Sequence, residues 1–154
     1  MHPDIDRAGA VNEPAVTVEE VNAFLAAELP FCAEMDIGCD ELCLDVGVTR
    51  FSYDDRWTRP GQIVNGGTLM ALADVAAYVA IFTRTGIVPL AVTNELKMNF
   101  LRPAIGRDVL ATATLHKLGR RVAYCSVELT EDDDPRRLVA HATASYVLPD
   151  EPAG

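Results

Sequence analysis

The chain has 154 residues, 49% of them hydrophobic, which suits one domain able to bury roughly two-thirds of its unfolded surface. Its formal net charge of −10 at pH 7 argues against a nucleic-acid-binding role, because phosphate backbones reward basic surfaces and repel acidic ones. The longest apolar stretch, about Leu69 to Phe82, is interrupted by Asp74 and too short to span a bilayer, and no basic segment followed by an apolar one opens the chain; a cytoplasmic protein without a membrane partner is expected.

Residues 1 to about 15 carry Pro3, Pro14, several charges and no periodicity, and are expected to be a mobile tail. Thr17-Val18-Glu19-Glu20 then matches a capping box, in which the Thr17 hydroxyl and the Glu20 carboxylate satisfy free amides at a helix start. A short amphipathic helix is predicted to about Leu29. The cysteines, Cys32, Cys39, Cys43 and Cys125, have neither CxxC spacing nor neighbouring histidines, so no metal site is expected and they read as core or surface thiols. From Leu42 onward Leu42, Leu44, Val46 and Val48 alternate with other residues, the period of a strand that buries this set and turns Asp45 and Thr49 the other way. Ser52 to Val64, with Asp54, Asp55, Pro60 and Gly61, reads as a loop.

Gly66-Gly67 opens a run, Thr68 to Thr83, that is apolar on every face except at Asp74. Alanine and leucine favour helix, and a helix apolar all round must be enclosed by the rest of the protein. An ionised carboxylate there costs several kcal/mol unless paired or hydrogen-bonded, which makes Asp74 the main catalytic candidate. The plainer reading is a partly exposed Asp satisfied by an amide or an arginine. Free amides of Gly66 and Gly67 at the helix N-terminus can hold a developing oxyanion; a tight turn is the plainer reading of two glycines.

After Gly86 and Pro89 come strands predicted at about Ala91 to Leu101, Asp108 to Leu118, Arg121 to Thr130 and Leu138 to Leu148, with turns at Gly119 and at Asp132-Asp133-Asp134-Pro135. Short connections imply antiparallel neighbours. A strand, a wholly apolar helix and an antiparallel meander make an α+β fold in which one sheet curls around the helix. That is the hotdog arrangement, expected as a single domain over residues 16–149 with a tail at 150–154.

The run Asn65-Gly66-Gly67-Thr68-Leu69-Met70-Ala71-Leu72-Ala73-Asp74 resembles the His-Gly-Gly-x-x-x-x-Leu-Ala-Asp signature of the phenylacetate-degradation branch of the 4-hydroxybenzoyl-CoA thioesterase superfamily. Asn99 to Ala104, Leu118 to Arg121 and Leu138 to Thr143 match further pieces in the expected order, so the resemblance covers about residues 40 to 148. It implies an acyl-CoA thioesterase that hydrolyses a thioester to free acid and coenzyme A, with Gly66 as oxyanion donor and Asp74 as nucleophile or general base. No cofactor is implied beyond the coenzyme A carried by the substrate. Eight residues at the helical rise separate Gly66 from Asp74 by about 12 Å, whereas attack needs about 3 Å. A dimer is therefore expected, alone or paired into a dimer of dimers, with Asp74 of one helix facing the Gly66 end of its partner.

Two departures from the family pattern stand out. Asn65 occupies the place where His is common, and its amide can orient a loop or substrate but transfers no proton near neutral pH. Arg59 stands where relatives place Asn or Gln, with Gln62 nearby as a substitute. Tyr78, one turn beyond Asp74, is expected to hydrogen-bond the carboxylate, to line the acyl pocket, or simply to fill the core. Thr93 and Asn94 fall near the position where relatives hold the attacking water. Arg102, Arg120 and Arg121 are candidates to grip the phosphates of coenzyme A, although exposed turn arginines are commonplace. His116 and His141 read as ordinary sheet residues. The lack of a His near the helix start disfavours a dehydratase or hydratase. A non-catalytic acyl-CoA or small-lipid binding protein is the alternative that Asn65 keeps open, and both aromatic and medium-chain acyl groups fit the sequence.

Overall fold

A computed structural model describes residues 12–150 of the chain. Most of the expected N-terminal tail, residues 1–11, and residues 151–154 of the C-terminal one lie outside the described residues. The capping box forms as its spacing requires: the Glu20 amide donates to Thr17 Oγ1 at 3.1 Å and the Thr17 amide to the Glu20 carboxylate at 2.8 Å. Helix α1, Val18–Glu28, follows and buries Val21 and Leu25. A second helix, α2, Pro30–Met35, was not expected; Pro30 sits in its first turn, where a missing amide costs nothing, and Asp36 ends it in the left-handed conformation at φ 51°.

The single strand expected from Leu42 is two strands, β1, Ile37–Cys43, and β2, Val46–Phe51, joined by a turn at Asp45, whose φ is 69°. The inward face is also the opposite of the expected one. Gly47 and Thr49 are buried, and Val46 and Val48 are half-buried on the other face. The cause is close approach by the central helix: a Cβ on Gly47 would lie 2.9 Å from Val79 Cγ1 and 3.0 Å from the Ala80 amide nitrogen. Thr49 at its side donates its hydroxyl to the Leu72 carbonyl at 3.4 Å. Alternation gives the period of a strand, while the packing partner selects the face.

The expected loop contains a 3-10 turn, Asp55–Trp57, and two short paired strands, β3, Thr58–Arg59, and β4, Ile63–Val64. The central helix α3 runs over Gly66–Thr85, longer at both ends than the apolar run predicted. By length and composition it is sufficient to cross a membrane, contrary to the sequence expectation, and 72% of its most apolar window is buried inside the protein.

Strands β5, Val92–Phe100, β6, Val109–Leu118, β7, Val122–Glu131, and β8, Asp134–Val147, complete the fold. The six-stranded sheet has the order β1-β2-β6-β7-β8-β5, and every neighbouring pair is antiparallel. The last four strands are thus not one meander: β6, β7 and β8 are, but β5 crosses to the far edge and pairs with β8 while β6 pairs with β2. Fully buried Ala111, Ala113, Ala123, Ala140 and Ala142 floor the sheet, and such small residues let the helix nest against it. This is the hotdog fold, with β5 as an open edge beside the helix.

Candidate active site

Asp74 lies where α3 passes the β5 edge. Its Oδ1 accepts the Tyr146 hydroxyl at 2.5 Å and the Thr93 hydroxyl at 2.7 Å, and the Tyr146 oxygen also stands 2.8 Å from the Asp74 backbone carbonyl. Within one chain the carboxylate is half-buried, not enclosed as the apolar run suggested, because among the described residues no strand lies beyond β5 to cover that face of the helix. It borders a cavity of about 220 Å³ whose wall includes Phe31, Tyr78, Val92, Thr93 and Tyr146.

Tyr146 was not anticipated. It is the inward-facing residue that continues the series Ala140, Ala142, Ala144 along β8, and it is almost fully buried. The available signal was an aromatic with a polar tip on a buried face, which needs a hydrogen-bond partner there. Burial, with the Asp74 charge beside it, pushes the Tyr146 hydroxyl far above its ordinary value. Tyr78 does line the cavity, but its hydroxyl meets the carbonyls of Pro89 at 2.8 Å and Val88 at 3.0 Å, and not Asp74. Its ring stacks on Tyr146, with centroids 5.7 Å apart and planes at 15°, and burial pushes its pKa up to about 12.

A β-bulge separates the fates of Thr93 and Asn94. Thr93 pairs with Tyr146 and Glu95 with Ser145, so Asn94 is an extra residue without its own partner. A bulge re-aims side chains: Thr93 turns toward the helix, while the Asn94 amide donates to Ser145 Oγ at 3.0 Å, away from Asp74. The Thr93 hydroxyl donates to the carboxylate.

At the other end of the expected constellation, Asn65 caps α3. Its Oδ1 accepts the Thr68 amide at 2.8 Å and its amide group donates to the Trp57 carbonyl at 2.7 Å, so both ends of the side chain hold the helix start in place. The Leu69 amide bonds back to the Asn65 carbonyl at 3.3 Å. Among the described residues the Gly66 and Gly67 amides have no hydrogen-bond partner, as expected ahead of the first helical bond. A Cβ on Gly66 would sit 3.3 Å from the Phe100 ring, so any larger residue there requires that ring to shift by a few tenths of an ångström. Gly66 opens onto a cavity of about 530 Å³ whose lining includes Arg59, Ile63, Phe100, Leu101 and Arg102. Gln62, at φ 60°, is outside that lining; its carbonyl accepts the Gly106 amide at 3.1 Å.

The three candidate phosphate-binding arginines do not converge within one chain. Arg102 stands at the Gly66 end and donates to the Leu138 carbonyl at 2.9 Å. Arg120 and Arg121 border a cavity beside Thr85, at the opposite end of a helix about 30 Å long, and Arg121 is paired with Asp150. Among the described residues no group of three or more His, Cys, Asp and Glu is arranged to hold a metal ion.

Residues 61–138 match the model of the thioesterase superfamily. A candidate esterase of Saccharolobus solfataricus is 30% identical over 88% of this chain and 87% of its own length. The crystal structure of a candidate thioesterase from Silicibacter sp. TM1040 superposes with a TM-score of 0.81 at 31% identity, covering 90% of this chain and 95% of that one. A shorter match, 38% identical over 36% of this chain and 35% of the other, is to the medium/long-chain acyl-CoA thioesterase YigI of Salmonella typhimurium. The sheet curled around α3 and the family match through the Gly66-to-Asp74 segment agree, and the chain belongs to the thioesterase superfamily.

Proposed function

We propose that the protein is an acyl-CoA thioesterase of the phenylacetate-degradation type, working as a dimer or dimer of dimers with a site shared between chains. The observation that carries this reading is the Asp74 carboxylate, held by Thr93 and Tyr146 at a cavity beside a strand edge that is unpaired among the described residues. The two halves needed for thioester cleavage, the Gly66 amide and the Asp74 carboxylate, border separate cavities of one chain. Both cavities flank β5, so a second chain placed antiparallel along that edge brings each half to the other's partner.

In this reading the Gly66 amide polarises the thioester carbonyl. Asp74 either takes a proton from a water whose oxygen adds to the carbonyl carbon, or adds to that carbon itself and forms an anhydride that water then opens. In both routes the C–S bond breaks, coenzyme A leaves as thiolate and takes up a proton, and the acid is released. Arg102 of one chain and Arg120 and Arg121 of the other are then candidates for the phosphates of coenzyme A. The free state of Cys32, Cys39, Cys43 and Cys125 suits a cytoplasmic setting.

Binding without hydrolysis is the second reading, and the engagement of both polar ends of the Asn65 side chain in the helix cap favours it, since no proton-transferring group replaces the family's histidine there. One experiment separates the two. Thiol release from a panel of aromatic and medium-chain acyl-CoA esters is expected to fall about 10²- to 10⁴-fold in Asp74→Asn, with the melting temperature retained. Turnover of that variant at the wild-type rate removes Asp74 from the chemistry; absence of release from every ester, with the esters still bound, establishes the binding module.

A further inference from the structure

We propose that Tyr146 is a positioning residue that, together with Thr93, fixes Asp74 Oδ1 and so assigns the reaction to Oδ2. The inference rests on the thioesterase reading of Asp74 and adds which of its two oxygens works and what holds the other.

Three observations carry it. First, both donors converge on the same atom: Tyr146 at 2.5 Å and Thr93 at 2.7 Å meet Oδ1, and among the described residues Oδ2 has no hydrogen-bond partner. A carboxylate with one oxygen saturated cannot rotate to exchange its oxygens without breaking both bonds. Second, the two donors come from neighbouring strands and face each other in register, Thr93 on β5 opposite Tyr146 on β8, and the bulge at Asn94 is what turns Thr93 inward. A regular strand carrying the same sequence would place Asn94 opposite Tyr146 and turn Thr93 outward. The local irregularity is therefore spent on presenting a hydroxyl to this carboxylate. Third, Tyr146 is itself held. It is 3% exposed, its ring stacks on Tyr78, and the Tyr78 hydroxyl is tied to the Val88 and Pro89 carbonyls. Burial keeps the Tyr146 hydroxyl protonated across any working pH, so it remains a donor while Asp74 takes up and gives back a proton or an acyl group at Oδ2.

Donors that fix a reacting group act on the rate of the chemical step and leave substrate affinity alone. Tyr146→Phe keeps the ring and its stack and removes only the hydroxyl. The expected result is a fall in kcat of about 10- to 100-fold, the loss associated with a hydrogen bond to a charged group, with KM changed less than twofold. Thr93→Val, at an exposed position on the edge strand where folding is not at issue, should show the same division between kcat and KM. The decisive measurement is the double variant Asp74→Asn/Tyr146→Phe in single turnover with enzyme in excess: it should be no slower than Asp74→Asn alone, because the hydroxyl acts only through that carboxylate. A Tyr146→Phe enzyme with wild-type kcat, or a double variant slowed by the same further factor as the single one, overturns the positioning role while leaving Asp74 in place. Wild-type turnover of Asp74→Asn overturns both.

Discussion

At the scale of single residues, burial divides the cysteines into two kinds. Desolvation pushes the Cys32 thiol up to about 11 and Cys125 up to about 12; it also dominates at Cys39, raised to about 12 with the Asp40 charge adding to it. Cys43, at the end of β1, is exposed. Since the thiolate is the reactive form, a thiol reagent added to the folded protein should modify Cys43 promptly and the other three only after denaturant is added. The Cys43→Ser variant should lose the fast phase; a fast phase that survives would show that a buried thiol becomes accessible. The same scale sets the limit on what the sequence could disclose. Asp74 stood out because a charge interrupts an apolar run, and Gly66 because two glycines open a helix. Tyr146 did not, because its partner lies 72 residues away in the chain, and only the strand register brings the two together. Asn65 was recognisable as a departure from a motif, but its use as a helix cap depends on the Trp57 carbonyl, which no spacing rule supplies.

At the scale of elements, the turn between β1 and β2 is clasped to the end of α3. Arg84 donates to both carboxylate oxygens of Asp45, at 2.6 and 2.7 Å, and these hydrogen bonds hold Asp45 below its ordinary carboxylate value against a smaller opposing effect of burial. A carboxylate whose pKa is lower in the folded state stabilises the fold above its unfolded value, about 3.9, and that contribution is lost as pH falls through the folded value. Asp45→Asn tolerates the left-handed backbone at this position and should melt below the wild type at pH 7, with the two curves converging as pH is lowered below about 4. A gap that stays constant from pH 7 to 3 would mean that the clasp contributes nothing through charge. Helices α1 and α3 and the later strands were legible within a few residues because long periodic runs and a capping box are local signals. The division of β1 from β2 was not, since Asp45 at positive φ carries no glycine to mark the turn, and the inward set proved to be the small residues, chosen by the approach of α3 at Gly47. Helix α2, only six residues long, is too short for a periodic signal.

At the scale of the whole molecule, the sheet ends on β5, whose outer edge is unpaired among the described residues, and apolar side chains are exposed near both ends of that strand: Leu90 is 73% exposed, Val92 58%, Phe100 53% and Leu101 50%. Open edges and clustered apolar residues favour association, and the proposed shared site needs it. Sedimentation is expected to show a dimer or larger species, and specific activity should fall on dilution in step with its dissociation. Leu90→Glu, outside both candidate half-sites, should weaken association and activity together; full turnover by a monomeric variant would defeat the shared site. The position of β5 at the edge was the least legible part of the fold, because short connections suggest neighbours in sequence order, whereas the crossover through Leu101 to Asp108 passes the two strands, β7 and β8, that lie between β5 and β6. That strand touches the central helix at two separated marks, Phe100 against Gly66 and Thr93 against Asp74. It therefore works as a ruler whose graduations alternate between the two faces of the sheet. Gaining or losing a residue in the connection before Val92 leaves both marks in place, whereas an insertion between Leu96 and Phe100 must turn one of them toward the outside, so length variation compatible with chemistry is confined to the ends of the ruler.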